Sequence, residues 1–309
     1  MKIRDIFFHE IYQQTRAGED LVVVSADIGA PSLDDYRRDF PNRFINVGIA
    51  EQNLIAVSSG LQLAGKKVIA YGLNPFPVTR AFDQVRNIMA SLQIPITLAA
   101  LNAGTCSADA GYTHMPVENI AVLRTLRNIK IISPTDETII KKLVKEIMGC
   151  PLPRYIQFDK FIEGRLYDWD DICFRKGFVS NNKDSNIVIV ANGIMAHNLM
   201  KQDLPAKIID CFALPISEKE FVEEVCGCQQ IITVEDGMVD GGIGSMVLEI
   251  LNRFQIDIPV RKMGLRFENG YPDKYTNREM IFEEEKLSTM YIEQYINEMI
   301  GEKGHGAAI

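Results

Sequence analysis

Asn46-Val-Gly-Ile-Ala-Glu-Gln-Asn53 is the stretch on which the reading of this chain turns. It sets one carboxylate, Glu51, among Ile49, Ala50, Leu54 and Ile55 at an expected helix start, and Gly48 leaves room for another group to come close. A carboxyl withdrawn from water in this way holds its proton more tightly, which suits it to share that proton with a heterocyclic nitrogen.

Outward from this segment, short β-branched runs alternate with helical patterns, the signature of parallel βαβ units. Strands are expected at Leu21–Ala26, Lys67–Tyr71, Ile96–Ala100, Lys130–Ser133 and Arg154–Phe158, and helices near Glu51–Leu63, Val78–Leu92, Val117–Leu126 and Glu137–Met148. Pro134 and Thr135 stop a strand, and Asp136 can cap the helix that follows. Periodicity fades from Asp159 to about Asn186, where charges cluster as in Asp168-Trp-Asp-Asp171. A second alternation then gives strands at Ile187–Ala191, Ala206–Asp210, Gln230–Val234 and Val260–Met263. The expected fold is α/β, two doubly wound domains with mostly parallel sheets flanked by helices: residues 1–160, a linker over 161–186, and residues 187–309. The small, polar end from Gly301 to Ile309 reads as frayed.

The 309 residues suffice for two such cores, and 47% hydrophobic with 24% charged residues is the balance of a soluble globular chain. A net charge of −8 without a Lys/Arg-rich run argues against a nucleic-acid partner. The N-terminus has no signal-peptide core and no uncharged run is long enough to cross a bilayer, so no membrane association is expected. Six scattered cysteines, Cys226-Gly-Cys228 included, lack a metal-ligand spacing and read as free buried thiols in a reducing cytoplasm.

Three ordered motifs carry the chemistry. Asn46-Val-Gly-Ile-Ala-Glu-Gln52, then Arg80-Ala-Phe-Asp-Gln-Val-Arg86, then Thr113-His-Met-Pro-Val-Glu-Asn-Ile-Ala-Val-Leu-Arg124 together resemble the transketolase pyrimidine-binding domain. Val234-Glu-Asp-Gly-Met-Val-Asp-Gly-Gly-Ile-Gly-Ser245 is similar to the C-terminal domain of the same superfamily. The whole resembles the short chains that carry only the C-terminal half of a transketolase. The resemblance implies that Glu51 bonds the aminopyrimidine ring of thiamine diphosphate and shares a proton with it. It implies that Ile28 props the bent cofactor between its rings, that Phe76 contacts the pyrimidine and Arg80 binds the cofactor beside it, and that His114 is an acid–base group at the substrate's carbonyl end. Imidazole titrates near neutrality, which fits that last role.

The chain departs from the family pattern in places that bear on substrate. The usual aromatic positions hold Asn74 and Pro77, with Phe76 displaced by one. Where transketolases carry an aspartate that reads a donor-sugar hydroxyl stands Ala110, with Asp109 beside it. Gln157 takes the place of an arginine that grips the substrate phosphate, and losing a guanidinium fork points toward an unphosphorylated or nucleotide-linked acceptor. Asp109, His114 and Gln157 are thus the substrate candidates.

There is no Gly-Asp-Gly with a spaced Asn, the metal and diphosphate signature of these enzymes, nor a P-loop or a Rossmann fingerprint. Gly241-Gly-Ile-Gly244 reads as close backbone packing in a helix-start turn, and Glu235 and Asp236 as solvated or interface charges ending a strand. The resemblance therefore implies a partner: an N-terminal subunit holding Mg²⁺ and the diphosphate, in an α2β2 assembly, with sugars as substrates. Two other readings stand beside it. One is the beta subunit of a 2-oxo acid dehydrogenase or decarboxylase, which Ala81-Phe-Asp-Gln-Val85 also fits; the other is a non-catalytic paralogue that binds a partner through the same surface.

Overall fold

A computed structural model describes residues 1–272 and 275–305. Twelve strands form two sheets: β1 Leu21–Ser25, β2 Phe44–Asn46, β3 Lys67–Leu73, β4 Thr97–Leu101, β5 Lys130–Ile132, β6 Arg154–Phe158, β7 Val179–Ser180, β8 Ile187–Ala191, β9 Lys207–Asp210, β10 Ala213–Leu214, β11 Gln230–Met238 and β12 Val260–Leu265. The first sheet runs β10-β5-β6-β4-β3-β1-β2 and the second β12-β11-β8-β9-β7. All pairings are parallel except β10 on β5 and β7 on β9. The chain is thus α/β with two mostly parallel sheets flanked by helices, as the alternation implied.

The reason lies in burial on both faces. Every residue of β1, β6 and β8 is buried, which is what a parallel strand covered by helices on each side requires. The covering helices supply one apolar stripe each. Glu137–Gly149 buries Ile139, Ile140, Leu143, Val144 and Ile147, and its first turn is capped by Asp136, whose side chain accepts from the Ile139 N–H at 2.8 Å. β1 is followed in sequence by β2 on one side and by β3 on the other, so the winding reverses there. The carboxyl ends of these strands therefore open a crevice, the usual place for a ligand in such sheets.

Several expectations need correction. The single helix expected over Val78–Leu92 is three pieces, Phe76–Thr79, Phe82–Gln84 and a π-helical run Val85–Ser91. The helix expected over Val117–Leu126 is shortened to Asn119–Arg124. Its first carbonyl is taken elsewhere, because Val117 O accepts the Met238 N–H of β11 at 3.0 Å. The expected linker carries structure of its own. Ile162, Tyr167, Ile172 and Phe178 are buried within it, and Val179–Ser180 joins the second sheet. The second half in turn returns Ala213–Leu214 to the edge of the first sheet. At the C-terminal end, residues 301–305 continue the helix Thr289–His305, while 306–309 of the segment expected to fray lie outside the described residues.

Candidate active site

Four of the residues singled out from the sequence meet at the crevice. Glu51 opens the helix Glu51–Leu63 and is 2% exposed although charged. Gly48, at φ +77°, provides the left-handed turn that swings the chain from β2 into this helix. Of the apolar neighbours expected around the carboxylate, Leu54 and Ile55 are buried, whereas Ile49 is 74% exposed and turns outward. Glu51 Oε2 accepts from Arg80 Nη1 at 2.7 Å. The guanidinium carbon of Arg80 lies 4.4 Å from the centroid of the Phe76 ring, and that ring meets the His114 imidazole edge to face at 5.5 Å. Glu51, Arg80, Phe76 and His114 thus form one continuous line of contact. His114 ends the short turn Tyr112–His114, with its Nδ1 3.0 Å from Thr113 Oγ1.

The others are held by other contacts. Ile28 lies on the loop after β1, where its backbone N–H and carbonyl both bond the Ser25 hydroxyl. Asp27, beside it, is tied to the Glu51 segment through Asn46, whose Nδ2 donates to Asp27 Oδ1 at 2.9 Å. Asp109 is exposed and its carboxylate lies 3.6 Å from Lys160 Nζ. Gln157 is buried on β6, its amide donating to Ser133 Oγ at 2.8 Å. It lines a narrow cavity between the two sheets together with Pro116, Val117, Asn192 and Asp236.

Behind the contact line stands a buried polar network that the sequence did not reveal. Asn74 Oδ1 accepts from Asn119 Nδ2 at 3.1 Å and from the Tyr155 hydroxyl at 3.0 Å, and Asn74 Nδ2 donates to Asn102 O at 2.6 Å. The turn that carries Phe76 is thereby fastened to the segment that carries His114. The only sequence signal was Asn74 itself, a polar residue where an aromatic is usual.

Glu235 and Asp236 are not solvated. Glu235 is 2% exposed, and burial pushes its carboxyl up to about 7 against the pull of the helix-start N–H groups it accepts, Ile243 at 2.9 Å and Gly244 at 3.1 Å. A Cβ on Gly242 would lie 1.8 Å from its Oε2, so the glycine turn is what admits the carboxylate. Asp236 does lie at an interface, the one between the two halves. It accepts from the Thr105 N–H and hydroxyl and pairs with Arg278 Nη2 at 3.0 Å. Arg278 also bonds Asp159, joining both halves in one buried cluster. From the second half, the Tyr271 hydroxyl donates to Glu118, four residues past His114.

Among the described residues no group of three or more His, Cys, Asp or Glu side chains is arranged to hold a metal ion, and no helix is long and apolar enough to cross a membrane. All six cysteines are free, but only Cys106 and Cys211 are buried as expected, and Cys226 is exposed.

A buried helix-start carboxylate, its arginine partner, an aromatic ring and a histidine thus gather at the crevice of a doubly wound sheet, and similarity gives the class. Residues 1–160 match the family "Transketolase, pyrimidine binding domain" and residues 179–286 match "Transketolase, C-terminal domain". The chain belongs to the transketolase family. It is 30% identical over 276 residues to a subunit of the apulose-4-phosphate transketolase of Phocaeicola vulgatus, covering 86% of this chain and 88% of that one. It is 27% identical to the 1-deoxy-D-xylulose-5-phosphate synthase of Corynebacterium diphtheriae, covering 89% of this chain but 45% of that longer protein. Among solved structures, one described as "Split gene transketolase, inactive beta4 tetramer" superposes with a TM-score of 0.81 at 27% identity, covering 96% of this chain and 98% of that chain.

Proposed function

We propose that this chain is the C-terminal subunit of a split, thiamine diphosphate-dependent transketolase that moves a two-carbon ketol unit between sugars. The observation that carries the reading is Glu51, a carboxylate 2% exposed at a helix start whose Oε1 accepts no hydrogen bond from the described residues. One free oxygen on a buried carboxylate, joined through Arg80 to the Phe76 ring, fits an aminopyrimidine better than a structural ion pair alone.

Thiamine diphosphate, when bound, supplies the carbon nucleophile and the electron sink. The rest is this chain's work. Glu51 holds a proton at the pyrimidine nitrogen, Phe76 supports the ring, and Ile28, on the loop fastened to the Glu51 segment, props the cofactor's bend. His114 donates to and accepts from the substrate oxygen at which charge develops, in the manner of a general acid–base. Gln157 supplies no cation, and its amide is already engaged with Ser133. This supports an acceptor without a terminal phosphate, and strong turnover of ordinary sugar phosphates with no other acceptor preferred would contradict it.

The diphosphate and Mg²⁺ belong to an N-terminal partner subunit, two copies of each chain forming the assembly. The Phocaeicola relative is likewise called a subunit, and the sequence here lacks the diphosphate signature. The test is to co-purify this chain with a diphosphate-binding transketolase subunit and assay a ketose donor. Ketol transfer only by the mixture supports the proposal; a fully active homodimer of this chain alone refutes it. A reaction confined to 2-oxo acids with a lipoyl acceptor would instead favour the dehydrogenase reading.

A further inference from the structure

In this chain the place beside Glu51 and Phe76 is held by its own side chain. The Arg80 guanidinium is planar, donates an N–H to Glu51 Oε2 at 2.7 Å and lies over the Phe76 ring at 4.4 Å. Those are the three properties by which an aminopyrimidine would be recognised there: a flat face, an N–H donor to the carboxylate and stacking on the aromatic ring. We propose that Arg80 is a built-in stand-in for the cofactor's pyrimidine ring, filling that subsite until loading displaces it; this rests on the functional reading above.

Three observations favour displacement over permanent residence. The side chain is 47% exposed, so it can leave without opening the core. Its main chain is held separately, since Gln52 Nε2 donates to Arg80 O at 3.4 Å; the guanidinium can move while its backbone stays. Arg80 itself lies over a face of the Phe76 ring at 4.4 Å, and the His114 imidazole meets that ring edge to face at 5.5 Å. A ring that stacks on Phe76 and bonds Glu51 therefore claims the volume the guanidinium occupies.

The chemistry points the same way. Arg80 engages Oε2 and leaves Oε1 open, so it is for the face of Phe76 that the guanidinium and an arriving ring compete. While Arg80 is in place, Glu51 is partnered and a buried charge is not left bare. When the ring arrives, it takes over the stacking and bonds the carboxylate. Arg80 is then a residue that sets how tightly and how fast the cofactor is taken up, and it ceases to touch the reacting carboxylate once the cofactor is seated.

The test uses the complex with the diphosphate-binding subunit and reads thiamine diphosphate binding by calorimetry and its association rate by stopped flow. Arg80→Ala is expected to bind about 3- to 10-fold more tightly than the native complex and to associate faster, as removal of a half-exposed ion pair and one cation–π contact would give. Equal or weaker binding by Arg80→Ala overturns the stand-in, and means that the guanidinium stays and supports the ring. Failure of the native complex and the variant alike to bind thiamine diphosphate sinks the functional reading instead. A second measurement does not depend on the variant's folding. In the ¹⁵N-arginine-labelled complex, the Arg80 guanidinium signal is expected to sharpen toward that of a free arginine on loading. A signal unchanged by saturating thiamine diphosphate contradicts displacement.

Discussion

Asn119 Nδ2 donates to Asn74 Oδ1 at 3.1 Å, with both side chains at 0% exposure, and through this bond the Phe76 turn and the His114 segment hold one another. The same nitrogen donor lies 2.9 Å from the Tyr155 hydroxyl, which itself bonds Asn74. A polar triangle of this kind is stabilising only while complete, because each member left unpaired bears its full desolvation cost.

Asn119→Ala should therefore destabilise the chain by about 2–3 kcal/mol, read as a lower urea midpoint at unchanged m-value. Asn119→Asp retains the shape but loses the donor, and should cost as much or more. A loss under about 0.5 kcal/mol in the alanine variant would show that the triangle is not a fastening.

Arg278 is the corresponding tie between the two halves. It is 6% exposed and sits between Asp159 and Asp236, at 2% and 7%. Arg278→Met leaves two buried carboxylates without a cation and should cost about 3–5 kcal/mol. Adding Asp159→Asn and Asp236→Asn to that variant should recover part of the loss, since the charges left bare are then gone. No recovery would mean that Arg278 acts through packing alone.

Two buried carboxyls give the stability a pH dependence. Burial pushes Asp210 up to about 7 from 3.8 and Glu235 up to about 7 from 4.5. Each is protonated in the folded chain over a range where the unfolded chain has already ionised. The stability they contribute is complete below their ordinary values and is lost as pH rises through about 7, at about 1.4 kcal/mol for each pH unit that separates the folded from the unfolded value. His197, which burial lowers from 6.5, acts in the opposite direction, costing stability as pH falls below its ordinary value. Melting between pH 6.5 and 8 therefore reads mainly the carboxyls, and Tm should fall across that interval. Asp210→Asn should flatten the slope while keeping the donors from Thr135 at 2.5 Å and Tyr167 at 2.9 Å satisfied. An equally steep slope in the variant would remove Asp210 as its source.

What the sequence revealed of this fold follows from which forces are local. The parallel core was legible because buried strands such as Ile187–Ala191 are apolar throughout, and the cap at Asp136 because a helix start needs an acceptor three residues ahead. The short strands Phe44–Asn46 and Ala213–Leu214 were not legible. Three and two residues carry no period, and their pairing is set by partners distant in the chain. At the site, Glu51, Arg80, Phe76 and His114 do converge, while Asp109 faces Lys160 and Gln157 faces Ser133. Glu235 looked like a surface charge because its partners are backbone N–H groups, which no side-chain pattern announces.

The most direct measurement is ketol transfer by this chain assembled with a diphosphate-binding transketolase subunit, native against Glu51→Gln. Glutamine keeps the volume at this buried position but cannot deliver a proton to a ring nitrogen. Turnover should fall by at least about 100-fold, with Tm within a few degrees of native. Undiminished turnover by the Glu51→Gln assembly would contradict the role given to that carboxylate and, with it, the reading of the crevice.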